Sequence, residues 1–234
     1  SGPTTEAGGT ATFSITLTSQ PTADVTIPLS SSDLTEGTVP ASITIAPANW
    51  NVANVVTVTG VDDVVIDGNI AYNLVTGDPT SADGNYNALN AGNVADVAAT
   101  NNDNDTAGIN VTAISGPTTE AGGTATFSIT LTSQPSADVT IPLSSNDLTE
   151  GTVPASITIA AANWNVANVV TVTGVDDVII DGNIAYPVLT GDPTSADGNY
   201  NALTAANVAD VPVTNNDDDS AGINVTLISA PTTE

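Results

Sequence analysis

Residues 1–21 read SGPTTEAGGTATFSITLTSQP, and the same 21 residues return unchanged at 115–135. Inside this stretch, TATFSITL (10–17) alternates strictly. Ala11, Phe13, Ile15 and Leu17 fall on one side, and Thr and Ser fall on the other. A period of two is the signature of a strand with one buried face. A third opening, SAPTTE, stands at 229–234, so the repeat length is 114 residues. Aligned at that spacing, 100 of 114 positions of 1–114 and 115–228 are identical. A repeated unit of about 100 residues suits one β-sandwich domain.

Working outward, further strands are expected at 24–29, 42–45, 53–61, 70–75 and 94–100. AGINVTAI at 107–114 opens the next unit with Ile109 and Val111 facing inward. Gly, Pro, Asp and Asn punctuate these segments, and no stretch keeps a helical period beyond about a turn. The fold class expected is all-β: tandem seven-stranded antiparallel Ig-like sandwiches. The expected division is 1–105 for the first repeat and 106–219 for the second. Residues 220–234 are either the first strand of a third repeat or a donor strand for a neighbouring copy. The first repeat lacks its own AGINVT segment. Two accounts stay open: preceding residues of a longer array supply that strand, or 221–228 of another copy does so by strand addition.

Composition removes most chemistry. The chain has 26 Asp plus Glu, no Lys, Arg, His, Cys or Met, and a formal charge of −26. Nucleic acid and anionic lipid repel such a chain. A Ser-His-Asp or Cys-His nucleophile, a Schiff-base Lys and a His/Cys zinc site are all excluded. No apolar run is long enough to span a membrane, and no basic segment precedes an apolar one as in a signal peptide. Hydrophobic residues make up 40% of the chain. They are mostly Val, Ile, Leu and Ala, which argues for a strand-rich core rather than disorder.

The acids concentrate at strand ends and loops. Glu6 precedes Gly8-Gly9, Asp33 follows VTIPLSSS, Asp62, Asp63 and Asp67 follow VTVTGV, and Asp103 and Asp105 close the last strand. In a sandwich these segments gather at one pole. Two carboxylates ~4 Å apart repel by roughly 4 kcal/mol near a protein surface. With no basic side chain present, a bound cation has to compensate, or the loops splay. Ca²⁺ suits carboxylate and carbonyl oxygens best. The plain alternative is a set of solvated turns, since Asp favours turns.

The order E-x-GGT-x-TFSITL, SSSD-LTEGTV-x-x-SITI, VTGVDD-x-x-x-D and NDND-TAGI resembles the Calx-β domain. That is the Ig-like module of the sodium–calcium exchanger's regulatory loop, of integrin β4 and of tandem bacterial surface proteins. The resemblance covers a whole unit. It implies calcium held by Glu6, Asp33, Asp62, Asp63, Asp67, Asp103 and Asp105. In the second unit it implies Glu120, Asp147, Asp176, Asp177, Asp181, Asp217 and Asp219, with Asp218 as an extra. The family's acidic run after the DD turn is shorter here, at Asp67-Gly68-Asn69.

Other features have narrower readings. Asp78, Asp83 and Tyr86 offer a second ion site in the long loop, and Trp50 and Trp164 pack at sandwich edges. Asn110 and Asn224 sit in N-x-T sequons, the form of a glycosylation acceptor. The function expected is a non-enzymatic, extracellular or cell-surface structural repeat. Calcium would stiffen it into a filament, adhesin stalk or matrix fibre, with copies of itself joined head-to-tail and surface glycans as further partners. A calcium-sensing or ligand-binding module of a receptor is the alternative. No nucleic-acid partner and no membrane insertion are expected.

Overall fold

The computed structural model describes residues 2–227; Ile228 and the SAPTTE opening lie outside the described residues. The chain forms two compact units, Ser1–Thr106 and Ala107–Glu234.

Unit 1 contains β1 (Thr4–Thr5), β2 (Thr10–Ile15), β3 (Val25–Ser31), β4 (Gly37–Thr38), β5 (Ser42–Ile45), β6 (Asn54–Gly60), β7 (Ile70–Thr76), β8 (Thr80–Ser81) and β9 (Val97–Asn102). One helical turn, α1 (Gly84–Asn87), interrupts the long loop. One sheet runs β1-β9-β7-β3-β5, with β8 also on β3, and the other runs β2-β6-β4. Alternating apolar residues of β3 and β6 meet between the sheets: Val25, Ile27, Leu29, Val56 and Val58 are all buried. Each unit is therefore an all-β sandwich, as the alternation predicts. The pairing of β1 with β9 is parallel, a departure from the all-antiparallel expectation.

Unit 2 repeats this plan and adds one strand. β10 (Ile109–Val111) is followed by β11 (Thr118–Thr119), β12 (Thr124–Leu131), β13 (Val139–Ser145), β14 (Gly151–Thr152), β15 (Ser156–Ile159), β16 (Asn168–Gly174), β17 (Ile184–Thr190), β18 (Thr194–Ser195), α2 (Gly198–Asn201) and β19 (Val211–Asn216). Here the smaller sheet has four strands, β10-β12-β16-β14. β10 lies antiparallel on β12, with Ile109 opposite Leu131 and Val111 opposite Ile129. Its effect is visible in the core. Phe127, Ile129 and Leu131 are buried, and unit 2 has one continuous apolar cluster. Their equivalents Phe13, Ile15 and Leu17 are half-exposed, and the buried core of unit 1 divides into two clusters, each packed against Phe13.

The strands read from alternation are present with shifted ends; 10–17 stops at Ile15 and 107–114 narrows to Ile109–Val111. The two-residue strands β1, β4 and β8 had no sequence signal, because a two-residue bridge has no period to detect. Residues 221–227 form no strand, although 109–111, identical in sequence to 223–225, does. Truncating a fully enclosed Phe costs about 3–5 kcal/mol, so Phe127→Ala is expected to destabilise unit 2 by that amount. Phe13→Ala is expected to cost unit 1 clearly less. Urea unfolding followed through Trp164 in a Trp50→Phe background, and through Trp50 in a Trp164→Phe background, separates the two values.

Candidate metal centre

The loops at one end of each unit are drawn together by a buried amide. Asn101, at the end of β9, is almost fully enclosed. Its Oδ1 accepts from Thr4 Oγ1 at 2.9 Å, and its Nδ2 donates to the Val61 carbonyl at 2.9 Å and to Glu36 Oε2 at 3.5 Å. One side chain therefore ties β1, the turn after β6 and the segment before β4. Gly60 is required beside it, since a Cβ there would collide with the Thr5 carbonyl and the Asn101 side chain. Asn215 makes the same contacts in unit 2, to Thr118, Val175 and Glu150.

Around this hub the carboxylates collect. In unit 1, oxygens of Glu6, Asp103 and Asp105 lie within 4.8 Å of one another, as do those of Glu36, Asp63 and Asp67. In unit 2 the groups are Glu120, Asp177 and Asp219, and Glu150, Asp177 and Asp181. Asp177 belongs to both, so the two groups are adjacent. Oxygens bound to one Ca²⁺ at about 2.3–2.6 Å lie no more than about 5 Å apart, which is the spacing found.

Backbone donors hold the acids in place. Asn104 N–H donates to Glu6 Oε2 at 3.0 Å, Asp105 N–H to Asp103 Oδ1 at 2.7 Å, and Val65 N–H to Asp63 Oδ1 at 2.7 Å. Gly68, at φ +79°, is left-handed, a conformation Gly adopts at low cost, and its N–H donates to Asp103 Oδ2 at 2.8 Å. Each carboxylate keeps oxygen lone pairs free. Two atoms go further: Asp105 Oδ2 and Asp219 Oδ2 are buried and accept no hydrogen bond. A buried carboxylate oxygen without a partner is costly, and the same atom is left so in both units. The residue types fit a hard divalent cation, and this orphaned oxygen marks where it would bind.

The electrostatics agree. Burial, and then the charges of Asp103, Asp63 and Asp67, push Glu6 up to about 7, against the opposing bond from Asn104. Burial followed by neighbouring acids also raises Glu36, Asp67, Asp105, Glu120, Glu150 and Asp219.

Not every expected ligand joins these groups. Asp33 and Asp147 cap turns: Asp33 Oδ1 accepts from Thr35 N–H at 3.0 Å and from Thr35 Oγ1 at 2.6 Å, which holds its pKa below the ordinary value. The bonds of Asp147 to Thr149 have the same effect. Asp62 is exposed and acts on Asp105 through its charge; Asp176 acts likewise on Asp219. Asp217 and Asp218 stand beside Asp219 and raise it further, and Asp218 N–H donates to Glu120. Glu36 and Glu150 were not singled out by sequence. The pairing of the two-residue strands β4 and β14 buries them, and that pairing has no local signature.

In the long loop, Asp83 caps α1 through Asn85 N–H and also accepts from Thr22, while Asp78 accepts from Ala91 N–H. The Tyr86 hydroxyl donates to the Ser19 carbonyl at 2.6 Å. These three residues are occupied in holding the loop rather than gathered as ligands. Trp164 packs against the core of unit 2, and the Trp50 carbonyl accepts from Leu17. Asn110 is exposed on β10, and Asn224 is exposed in 221–227. Among the described residues, no helix is long and apolar enough to cross a membrane.

The chain is similar in structure to the calcium binding domain CBD12 of CALX1.1, at 14% identity over 84% of this chain and 79% of that one, with a TM-score of 0.36. It is similar to CBD12 of CALX1.2 at 11% identity over 93% of each chain, TM-score 0.34. It is also similar to domains 4 and 5 of the S-layer protein SbsC, at 14% identity over 82% of this chain and 75% of that one, TM-score 0.32. At these TM-scores the likeness assigns neither ligand nor role. No protein-family profile and no curated protein matches the chain.

A raised Glu pKa means the folded state holds its proton more tightly than the unfolded state. The stability Glu6 contributes by protonation is therefore full below about 4.5 and lost as pH rises through about 7. In chelator, the melting midpoint of unit 1 is expected to fall between pH 5 and pH 8. Glu6→Gln is expected to flatten that dependence. Thermal melts at a series of pH values, followed through Trp50, measure both.

Proposed function

We propose that this protein is a calcium-binding structural repeat protein that works outside the cell, each unit holding its cations at one end of the sandwich. The observation that carries this reading is the pair of three-carboxylate groups in each unit, with a buried, unpartnered oxygen at Asp105 and again at Asp219. Glu6, Asp103 and Asp105 would hold one cation, and Glu36, Asp63 and Asp67 a second; in unit 2 Glu120, Asp177 and Asp219 would hold one, and Glu150 and Asp181, sharing Asp177, the other. Calcium would supply the positive charge that no side chain of this protein can supply.

The chemistry left to the chain supports a mechanical role rather than a catalytic one. It has no basic, thiol or imidazole group, and the acids at the site are held by backbone donors in both units. Asp105 lies two residues before Ala107, the first residue of unit 2. A cation bound there would pin the chain where it leaves unit 1 and stiffen a run of such units into a stalk or filament. Extracellular calcium modules work at Kd values of about 10⁻⁴–10⁻³ M, so weak sites suffice in that setting.

Calcium at 100 times its Kd stabilises a one-site fold by about 2.7 kcal/mol, so addition is expected to raise the melting midpoint of each unit by several degrees. Asp105→Asn is expected to abolish most of that rise in unit 1 while leaving its midpoint in chelator unchanged or higher, because it removes repulsion. Calorimetry with calcium and with chelator tests this. Equal midpoints in the two buffers would sink the reading.

A further inference from the structure

We propose that the outer edge of β2 is a strand-docking site, and that residues 221–227 of a second copy of this chain occupy it. Such a contact gives the structural reading above its partner, and its geometry does not depend on calcium.

Unit 2 supplies the template. AGINVT at 107–112 is identical to AGINVT at 221–226, and the acceptor strand 124–131 is identical to 10–17. In unit 2 the two are joined: Ile109 faces Leu131, Asn110 faces Thr130 and Val111 faces Ile129. The ladder extends at both ends, with Thr112 N–H donating to the Ser128 carbonyl and Thr132 N–H to the Gly108 carbonyl, each at 3.0 Å. In unit 1 the acceptor is present and the described residues offer it no such strand; β2 pairs only with β6. The donor is present in 221–227 and has no strand partner there. Ile223, Val225 and Leu227 are 92%, 88% and 95% exposed.

The acceptor edge is shaped for this strand. A groove of about 140 Å³, lined by Ile15, Leu17, Val25, Tyr86 and Val94 among others, opens beside β2. The unit 2 equivalents of Ile15 and Leu17 are covered, and Ala107, Ile109 and Val111 pack against that core. β12 continues two residues further than β2, to Leu131. Tyr200 and Ser133 are fully enclosed in unit 2, whereas Ser19, beside Tyr86, is exposed. An open edge with apolar residues behind it is a template for another strand. The repeat sets the register: Ile223 opposite Leu17, Asn224 opposite Thr16 and Val225 opposite Ile15. A slip of one residue would turn Ile223 and Val225 out to water. Among the described residues the donor and the acceptor are different segments, so the contact is head-to-tail and propagates.

The absence of cysteine makes a direct test clean. Chains carrying Thr16→Cys are mixed with chains carrying Asn224→Cys and oxidised. A disulfide is expected between chains, since directly opposed strand residues stand about 5.5 Å apart at Cα. Ser14→Cys in place of Thr16→Cys is expected to give little of it. In parallel, sedimentation velocity on the unaltered chain is expected to show multimers that grow with concentration, in chelator as well as in calcium. Ile223→Asp with Val225→Asp, at exposed positions outside both cores, is expected to leave the melt unchanged and abolish the multimers. A chain that stays monomeric at every concentration overturns the proposal, as do multimers that survive the double substitution or a disulfide formed equally well at Ser14. Failure here with calcium stabilisation intact leaves the cation reading standing; loss of the calcium effect with multimers intact does the reverse.

Discussion

Everything at the acidic end of each unit follows from one constraint: carboxylates are brought within 4.8 Å of one another in a chain that owns no cationic side chain. The sandwich enforces this approach. Glu6 is fixed by the parallel step of β1 onto β9, Glu36 by β4 on β6, and the DD turn by the Asn101 amide. Once those strands pair, the acids have no freedom to separate. The cost falls on the charged state, which is why burial and mutual repulsion together raise Glu6, Glu36, Asp67 and Asp105. A hard cation would relieve that cost and would satisfy the stranded oxygen of Asp105 at the same time.

The near-identity of the two units isolates the contribution of one short strand. Phe13 and Phe127 sit in the same sequence and on the same face of equivalent strands, yet one is half-exposed and the other closed off. The difference lies in β10, which covers the edge of β12 and completes a single core. Three residues of ladder thus decide whether an apolar face is interior or surface. In unit 2 the AGINVT strand at 107–112 belongs to the sandwich it completes.

Much of this was legible in the sequence, and the limits have physical causes. Strict alternation at 10–17 and the 114-residue period announce sandwich strands and their repetition, because burial of one sheet face imposes period two. The acidic turns at Asp62-Asp63 and Asp103-x-Asp105 stand out because they recur at strand ends in both units. Glu36 did not stand out: its burial comes from a two-residue bridge that pairs Gly37 with Gly60, and that pairing is set by tertiary context. Asp33 drew attention by its place after a strand, but its Oδ1 accepts from Thr35 and it lies outside both three-carboxylate groups, a difference that sequence spacing does not show. Spacing tells which acids are near a loop end; only the backbone path tells which of their oxygens remain free.

The central claim is that divalent cations replace the basic side chains this protein lacks, and counting bound calcium by equilibrium dialysis tests it most directly. Two three-carboxylate groups in each of two units predict saturation at four calcium ions per chain, falling when Asp105 and Asp219 are both changed to Asn. Titration to millimolar calcium with no saturable uptake, or uptake indifferent to those two changes, would contradict the account.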